Sequence, residues 1–121
     1  MGFLNKLFNR EPKPGKPQEL GDADFDQKVL ASDTPAVVDF WSSRCAPCQV
    51  MSGLLNELGP DYAGKINIFK LNVDYNAQAA AQYQVRSVPT LVLFKNHRPV
   101  ERIVGLVQLN PLKEKLDKLV E

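Results

Sequence analysis

Histidine and cysteine are scarce: one His and two Cys in 121 residues. A closed zinc site takes four such donors. The cysteine pair could therefore be half of a zinc site only if two chains shared the metal, and no metal is expected. Long apolar runs are also missing. The longest span a handful of residues, against the roughly 20 that a membrane-crossing helix needs. Charge of one sign is missing too, with 15 basic and 14 acidic residues giving a net charge of +1. No basic patch is interleaved with aromatics, so nucleic acid is not an expected partner. A secretory signal is not visible, because Asn5 and Lys6 interrupt the stretch Phe3 to Phe8 and no small-residue cleavage site follows. Lys6 also stands where a myristoylation motif takes Ser or Thr. These absences point to a cytoplasmic, reducing location. Two cysteines there serve catalysis or metal binding more readily than a structural staple.

What is present suits one domain, with 44% apolar and 24% charged residues. Phe3, Leu4, Leu7 and Phe8 fall on one face of a short amphipathic tail over residues 1–10. Two readings of the tail stay open. It is a frayed or self-docked end, or it makes weak contact with a membrane or partner. Residues 11–17 carry three prolines and a glycine and read as an extended linker. The domain is expected over 18–121. A helix is expected over Asp22 to Ala31, with its acidic residues favouring its own N-terminus. Ala36 to Trp41 reads as a central strand buried on both faces, broken by Asp39 alone. A second helix runs from the cysteine pair to Leu58, with Gly53 inside it as a possible bend and Gly59-Pro60 ending it. Strands follow over Ile66 to Val73, Leu91 to Phe94 and Val100 to Val104, and a short helix over Asn76 to Tyr83. Asn110 is expected to cap the last helix, with Pro111 at its first position. The order predicts an α/β fold with a mixed central sheet of four to five strands and helices on both faces.

The chemistry centres on Cys45-Ala46-Pro47-Cys48. A spacing of three puts both residues on one helix face, within the Cα separation that a disulfide requires. Cys45 is the candidate attacking sulfur. Free N–H groups at the helix start and the cation of Arg44 stabilise its thiolate. Cys48, deeper in the helix, is the candidate resolving thiol. It needs a proton acceptor, and the lone acid of the buried strand, Asp39, is the candidate. Asp39 could instead be only a satisfied core carboxylate. Lys70, on the neighbouring strand, is its candidate partner. His97 reads as a turn residue rather than a base.

Five blocks together resemble the thioredoxin family: Val38-Asp39-Phe40-Trp41, Cys45-Ala46-Pro47-Cys48, Lys70 to Asp74, Val88-Pro89-Thr90-Leu91 with Phe94-Lys95-Asn96, and Val104-Gly105. They occur in that family's order and spacing over roughly Asp22 to Val120. The resemblance implies a thioredoxin fold and protein disulfide oxidoreductase activity that reduces client proteins. It implies no bound cofactor, a redox-active disulfide Cys45–Cys48, and electrons from an NADPH-dependent thioredoxin reductase. The protein is expected to act as a monomer. The same resemblance implies Asp39 as the family's buried acid with Lys70 beside it. It implies a cis-proline at Pro89, with Val88 offering its backbone to substrate. Trp41 is implied under the active-site loop, and Gly105 in the substrate groove. A binding or scaffold module with weakened catalysis, docked through its tail, is the alternative function.

Several residues depart from the family pattern. Arg44 replaces a tryptophan, which predicts a more oxidising couple and altered partner choice. Ala46 and His97 replace glycines, and Gly53 replaces a proline. Pro17 and its polar neighbours predict a first strand near Lys16 to Leu20 that is short or absent.

Overall fold

A computed structural model describes residues 14–121. The expected amphipathic tail and residues 11–13 of the linker lie outside the described residues. Five strands form one sheet: β1 (Gln18–Leu20), β2 (Ala36–Trp41), β3 (Asn67–Asn72), β4 (Thr90–Lys95) and β5 (Arg98–Val104). Their spatial order is β1-β3-β2-β4-β5. β3 runs parallel to both β1 and β2, and β4 is antiparallel to β2 and β5. β2 is therefore central, which is why five of its six residues are fully buried and why it reads as an apolar run rather than an alternation.

Among the described residues, four helices cover the sheet: α1 (Asp26–Leu30), α2 (Ala46–Leu58), α3 (Ala77–Gln82) and α4 (Leu109–Leu119). Alternate strand residues serve opposite faces. Val37, Ile68, Leu91 and Leu93 pack with Met51, Leu55 and Leu58 of α2 and with Leu112, Leu116 and Leu119 of α4. Val38, Phe40, Phe69, Leu71, Val92 and Phe94 pack with Phe25 and Val29 beside and within α1 and with Ala79 of α3. Phe25, Tyr83 and Phe94 add an aromatic cluster, with ring centroids 5.2 to 5.8 Å apart. Asp39 has the parity of Val37, so the strand aims it under α2.

Two expectations are corrected. The helix over Asp22 to Ala31 is only the single wide turn α1, closed by the Ala31 N–H donating to the Asp26 carbonyl at 2.8 Å. The reason lies in where the acids bond. Asp24 accepts from the Gly21 N–H at 2.9 Å. Asp22 accepts from the Gln78 and Ala79 N–H groups at 3.1 and 2.8 Å, capping α3 rather than its own helix. The last helix starts earlier than expected. Gln108 is its N-cap and Pro111 its third residue, a position that still lacks an intrahelical acceptor and so tolerates proline. α2 continues through Gly53 and passes at Gly59 into a 3₁₀ turn, Gly59–Tyr62.

The doubtful first strand exists at minimum length, paired from Gln18↔Phe69 to Leu20↔Leu71. Pro17 lies just outside it, where no ladder N–H is needed. Before it, Gly15 lies at φ +85° against Gly59 and Pro60, and a Cβ there would collide with the Gly59 backbone. The β4–β5 hairpin turns at Asn96 and His97, both at positive φ (55° and 68°), as a two-residue hairpin requires. His97 secures this turn, with Nδ1 2.6 Å from the Leu30 carbonyl oxygen and Nε2 3.2 Å from Asp33. The turn lies at the opposite end of the sheet from the cysteine pair, since β4 runs from Thr90 beside Phe40 to Phe94 beside Ala36.

Candidate active site

β2 delivers the chain to the C-terminal edge of the parallel strands, where Ser42 to Arg44 turn it into α2. Cys45 is the N-cap of α2. Its backbone is extended (φ −140°, ψ 101°), and its sulfur accepts the Cys48 N–H at 3.1 Å. The two cysteines are disulfide-bonded, with Cα atoms 5.2 Å apart. Pro47 occupies the first turn, where its missing N–H costs nothing. The surroundings of the two sulfurs differ sharply. Cys45 is half-buried, and its sulfur lies 3.9 Å from the Val88 carbonyl oxygen. Cys48 is 2% exposed and faces inward.

Inward, Cys48 lines a cavity of about 230 Å³ with Asp39, Trp41, Gln49, Ser52 and Lys70. Asp39 and Lys70 are register partners on adjacent parallel strands, so both project under α2. Asp39 is 2% exposed, and burial pushes its carboxyl up to about 7, with the positive charge of Lys70 pulling the other way. Among the described residues, neither Asp39 Oδ1 nor Trp41 Nε1 has a hydrogen-bond partner. Lys70 makes no direct ion pair with Asp39. Its Nζ lies 3.4 Å from Glu19 and 6.0 Å from the centre of the Trp41 ring. Such a polar cavity has the size and lining to hold water.

Outward, the Val88–Pro89 peptide bond is cis. The Gly105 N–H donates to the Pro89 carbonyl at 2.8 Å, and Gly105 adopts φ +82°, a conformation that favours glycine. This places Val88, Pro89 and Gly105 together on one side of Cys45. Arg44 is exposed on the loop before it and forms no ion pair among the described residues. Of the residues singled out from the sequence, Asp39, Trp41, Cys48 and Lys70 line the cavity, the Val88 carbonyl faces Cys45, Pro89 and Gly105 follow from Val88 through the chain and one hydrogen bond, and Arg44 precedes Cys45 in the loop.

The sequence reading missed the clamp on the Ser42–Arg44 loop. The Asp74 carboxylate accepts from Ser42 Oγ at 3.1 and 3.0 Å and from the Ser43 N–H at 3.1 Å. These bonds, the Ser43 N–H first, hold its carboxyl below the usual range. Asn72 Nδ2 donates to Ser43 Oγ at 3.1 Å. The only signal was that Asn72 and Asp74 lie in the block Lys70 to Asp74. Ser52 and Gln49 in the cavity were missed as well, although their spacing from Cys48 along α2 places them near it. Among the described residues no group of His, Cys, Asp and Glu converges as a metal site. A larger cleft of about 290 Å³, between α4 and β4–β5, is lined by Leu93, Lys95, Val100, Glu101, Lys115, Lys118 and Leu119. It gathers no redox-active group. No helix among the described residues is long and apolar enough to cross a membrane.

Comparison with known proteins agrees with this geometry. The family model described as Thioredoxin matches residues 16–118. Thioredoxin of Staphylococcus aureus is 47% identical over 100 residues, covering 83% of this chain and 94% of the relative. Thioredoxin 1 of Nostoc sp. is 42% identical, also over 100 residues, with the same coverage of both chains. The chloroplastic M-type thioredoxin of Pisum sativum is 39% identical over 103 residues, covering 85% of this chain and 60% of that relative. The chain belongs to the thioredoxin family and is a thiol–disulfide oxidoreductase whose Cys45–Cys48 pair fits a CxxC active site.

Proposed function

We propose that the chain reduces disulfides in client proteins, with Cys45 attacking and Cys48 resolving. The observation that carries this division is the contrast between the two sulfurs. One is at the surface beside Val88, and the other is buried beside Asp39. In the reduced protein the Cys45 thiolate attacks one client sulfur. A mixed disulfide forms, and the second client sulfur leaves as a thiolate. Cys48 then gives its proton to the Asp39 carboxylate, through water in the shared cavity, and its thiolate attacks Cys45. The client is released with both sulfurs reduced, and the Cys45–Cys48 disulfide forms.

An acceptor titrating near 7 is matched to this task, since it can both take and return a proton near neutral pH. Lys70 keeps Asp39 from shifting further upward, and Trp41 walls the cavity. Val88, Pro89 and Gly105 receive the client chain next to Cys45. Nothing needs to be bound for this chemistry beyond the pair itself. Two electrons per cycle come from an NADPH-dependent thioredoxin reductase, and the protein works in the cytoplasm as a monomer. The intact pair, with its acid beneath it, favours catalysis over a scaffold role.

Insulin-disulfide reduction with dithiothreitol tests the proposal. Turnover that Cys45→Ser reduces to the uncatalysed rate is the expected result. Turnover by the wild-type protein at the uncatalysed rate would refute it.

A further inference from the structure

The surface around Cys45 is not uniform. Val104 and Leu106, 61% and 49% exposed, flank Gly105. Two cations adjoin the residues that meet at Cys45. Arg44 directly precedes Cys45. Arg86 precedes Ser87 and Val88, and the Val88 carbonyl is the group 3.9 Å from the Cys45 sulfur. Only Ser87 separates Arg86 from Val88, a span of about 7 Å at most, and a guanidinium reaches about as far again. Both arginines are exposed, and among the described residues neither takes part in an ion pair. Asp74, the acid that anchors this loop from the end of β3, is engaged by Ser42 and Ser43 and forms no ion pair with Arg44. The buried Asp39 lies beneath α2, on the cavity side of the disulfide.

We infer that Arg44 and Arg86 form a two-pronged cationic site that selects clients carrying acidic residues beside the target disulfide. The inference rests on the reductase reading of the pair and adds the class of substrate. A client strand passing between the Pro89 loop and Cys45 has its flanking side chains within reach of both guanidinium groups. Guanidinium presents planar, paired donors that match a carboxylate. Exposed ion pairs are individually weak, so two acting on one client give a preference of about fivefold at low salt. That preference fades as salt screens it.

The test uses the full chain and three disulfide peptides that differ only in the residues flanking one cysteine: Glu, Gln or Lys. Their rates with dithiothreitol alone correct for intrinsic reactivity. The expected order of corrected kcat/KM is Glu, then Gln, then Lys. The Glu-to-Gln ratio should be about five at low salt and approach one in roughly 0.5 M salt. It should also approach one in the Arg44→Gln/Arg86→Gln double variant. Because the ratio is taken within each protein, any change in the reactivity of Cys45 itself cancels. A wild-type ratio of one overturns the inference, as does a ratio that persists in the double variant. Failure to reduce any of the three peptides overturns the reductase reading itself, and this inference with it.

Discussion

The two faces of the sheet are made by the same strands and differ in one respect. The face under α1 and α3 has an apolar core from Val38 and Phe40 to Phe69, Leu71 and Phe94, and its buried polar residue, Thr90, is uncharged and donates to the Ser87 carbonyl at 2.8 Å. The face under α2 and α4 has the same kind of core at its far end, but near the cysteine pair it carries Asp39 and Lys70. Asp39 is buried like its strand neighbours Val37 and Val38, so its charge there is not a by-product of poor burial. A buried acid pushed to about 7 lowers stability at neutral pH and brings a proton acceptor to Cys48. The apolar face serves stability alone.

The sharpest way to break this comparison is to add an acid one residue away, on the other face. Val38→Asp places a carboxyl on the other face, between Phe69 and Val92 as cross-strand partners, with no lysine beside it. A buried unpaired charge costs several kcal/mol, a large share of the ~5–15 kcal/mol that holds a domain together. The variant should be largely unfolded at pH 7.5 by circular dichroism. A cooperative unfolding transition close to wild type would show that the two faces do not differ as described.

The second change removes the acid where it is. In the folded protein Asp39 holds its proton up to about pH 7, whereas in the unfolded chain it loses it near 4. The folded state therefore binds more protons between those values. The stabilising contribution is fully present below about 4 and is lost as pH rises through about 7. Asp39→Asn should abolish that decline and raise stability at pH 8 by roughly 2–4 kcal/mol, seen as a higher urea midpoint. The same variant should slow mixed-disulfide resolution and flatten its rise with pH. A variant less stable than wild type at pH 8 would contradict the account.

The smallest effect expected is at the rim. Arg44→Trp removes an exposed cation that favours the Cys45 thiolate, so the couple should become more reducing by on the order of 10–20 mV. Equilibration with a glutathione buffer measures this, and an unchanged potential would remove Arg44 from the redox account.

Much of this was legible in the sequence because it is local. The Cys45–Cys48 spacing, the apolar run broken at Asp39 and the alternation that carries Lys70 each follow from the period of a single element. What escaped depends on pairs far apart in the chain. Asp22 caps α3 across more than fifty residues, so the acids before α1 were read as serving their own helix. The Asp74 clamp on Ser42 and Ser43 spans about thirty residues and has no signature in either segment alone. Pro111 was read as a first helical residue because proline is favoured there, although the third position also spares its missing N–H.

The central claim is that Asp39 is buried with too little compensation and titrates near neutrality beside Cys48. The most direct test is an NMR titration of the Asp39 side-chain carboxyl carbon in the oxidised protein. A midpoint near 7 is the predicted result, and a midpoint near 4, in the ordinary carboxylate range, would contradict it.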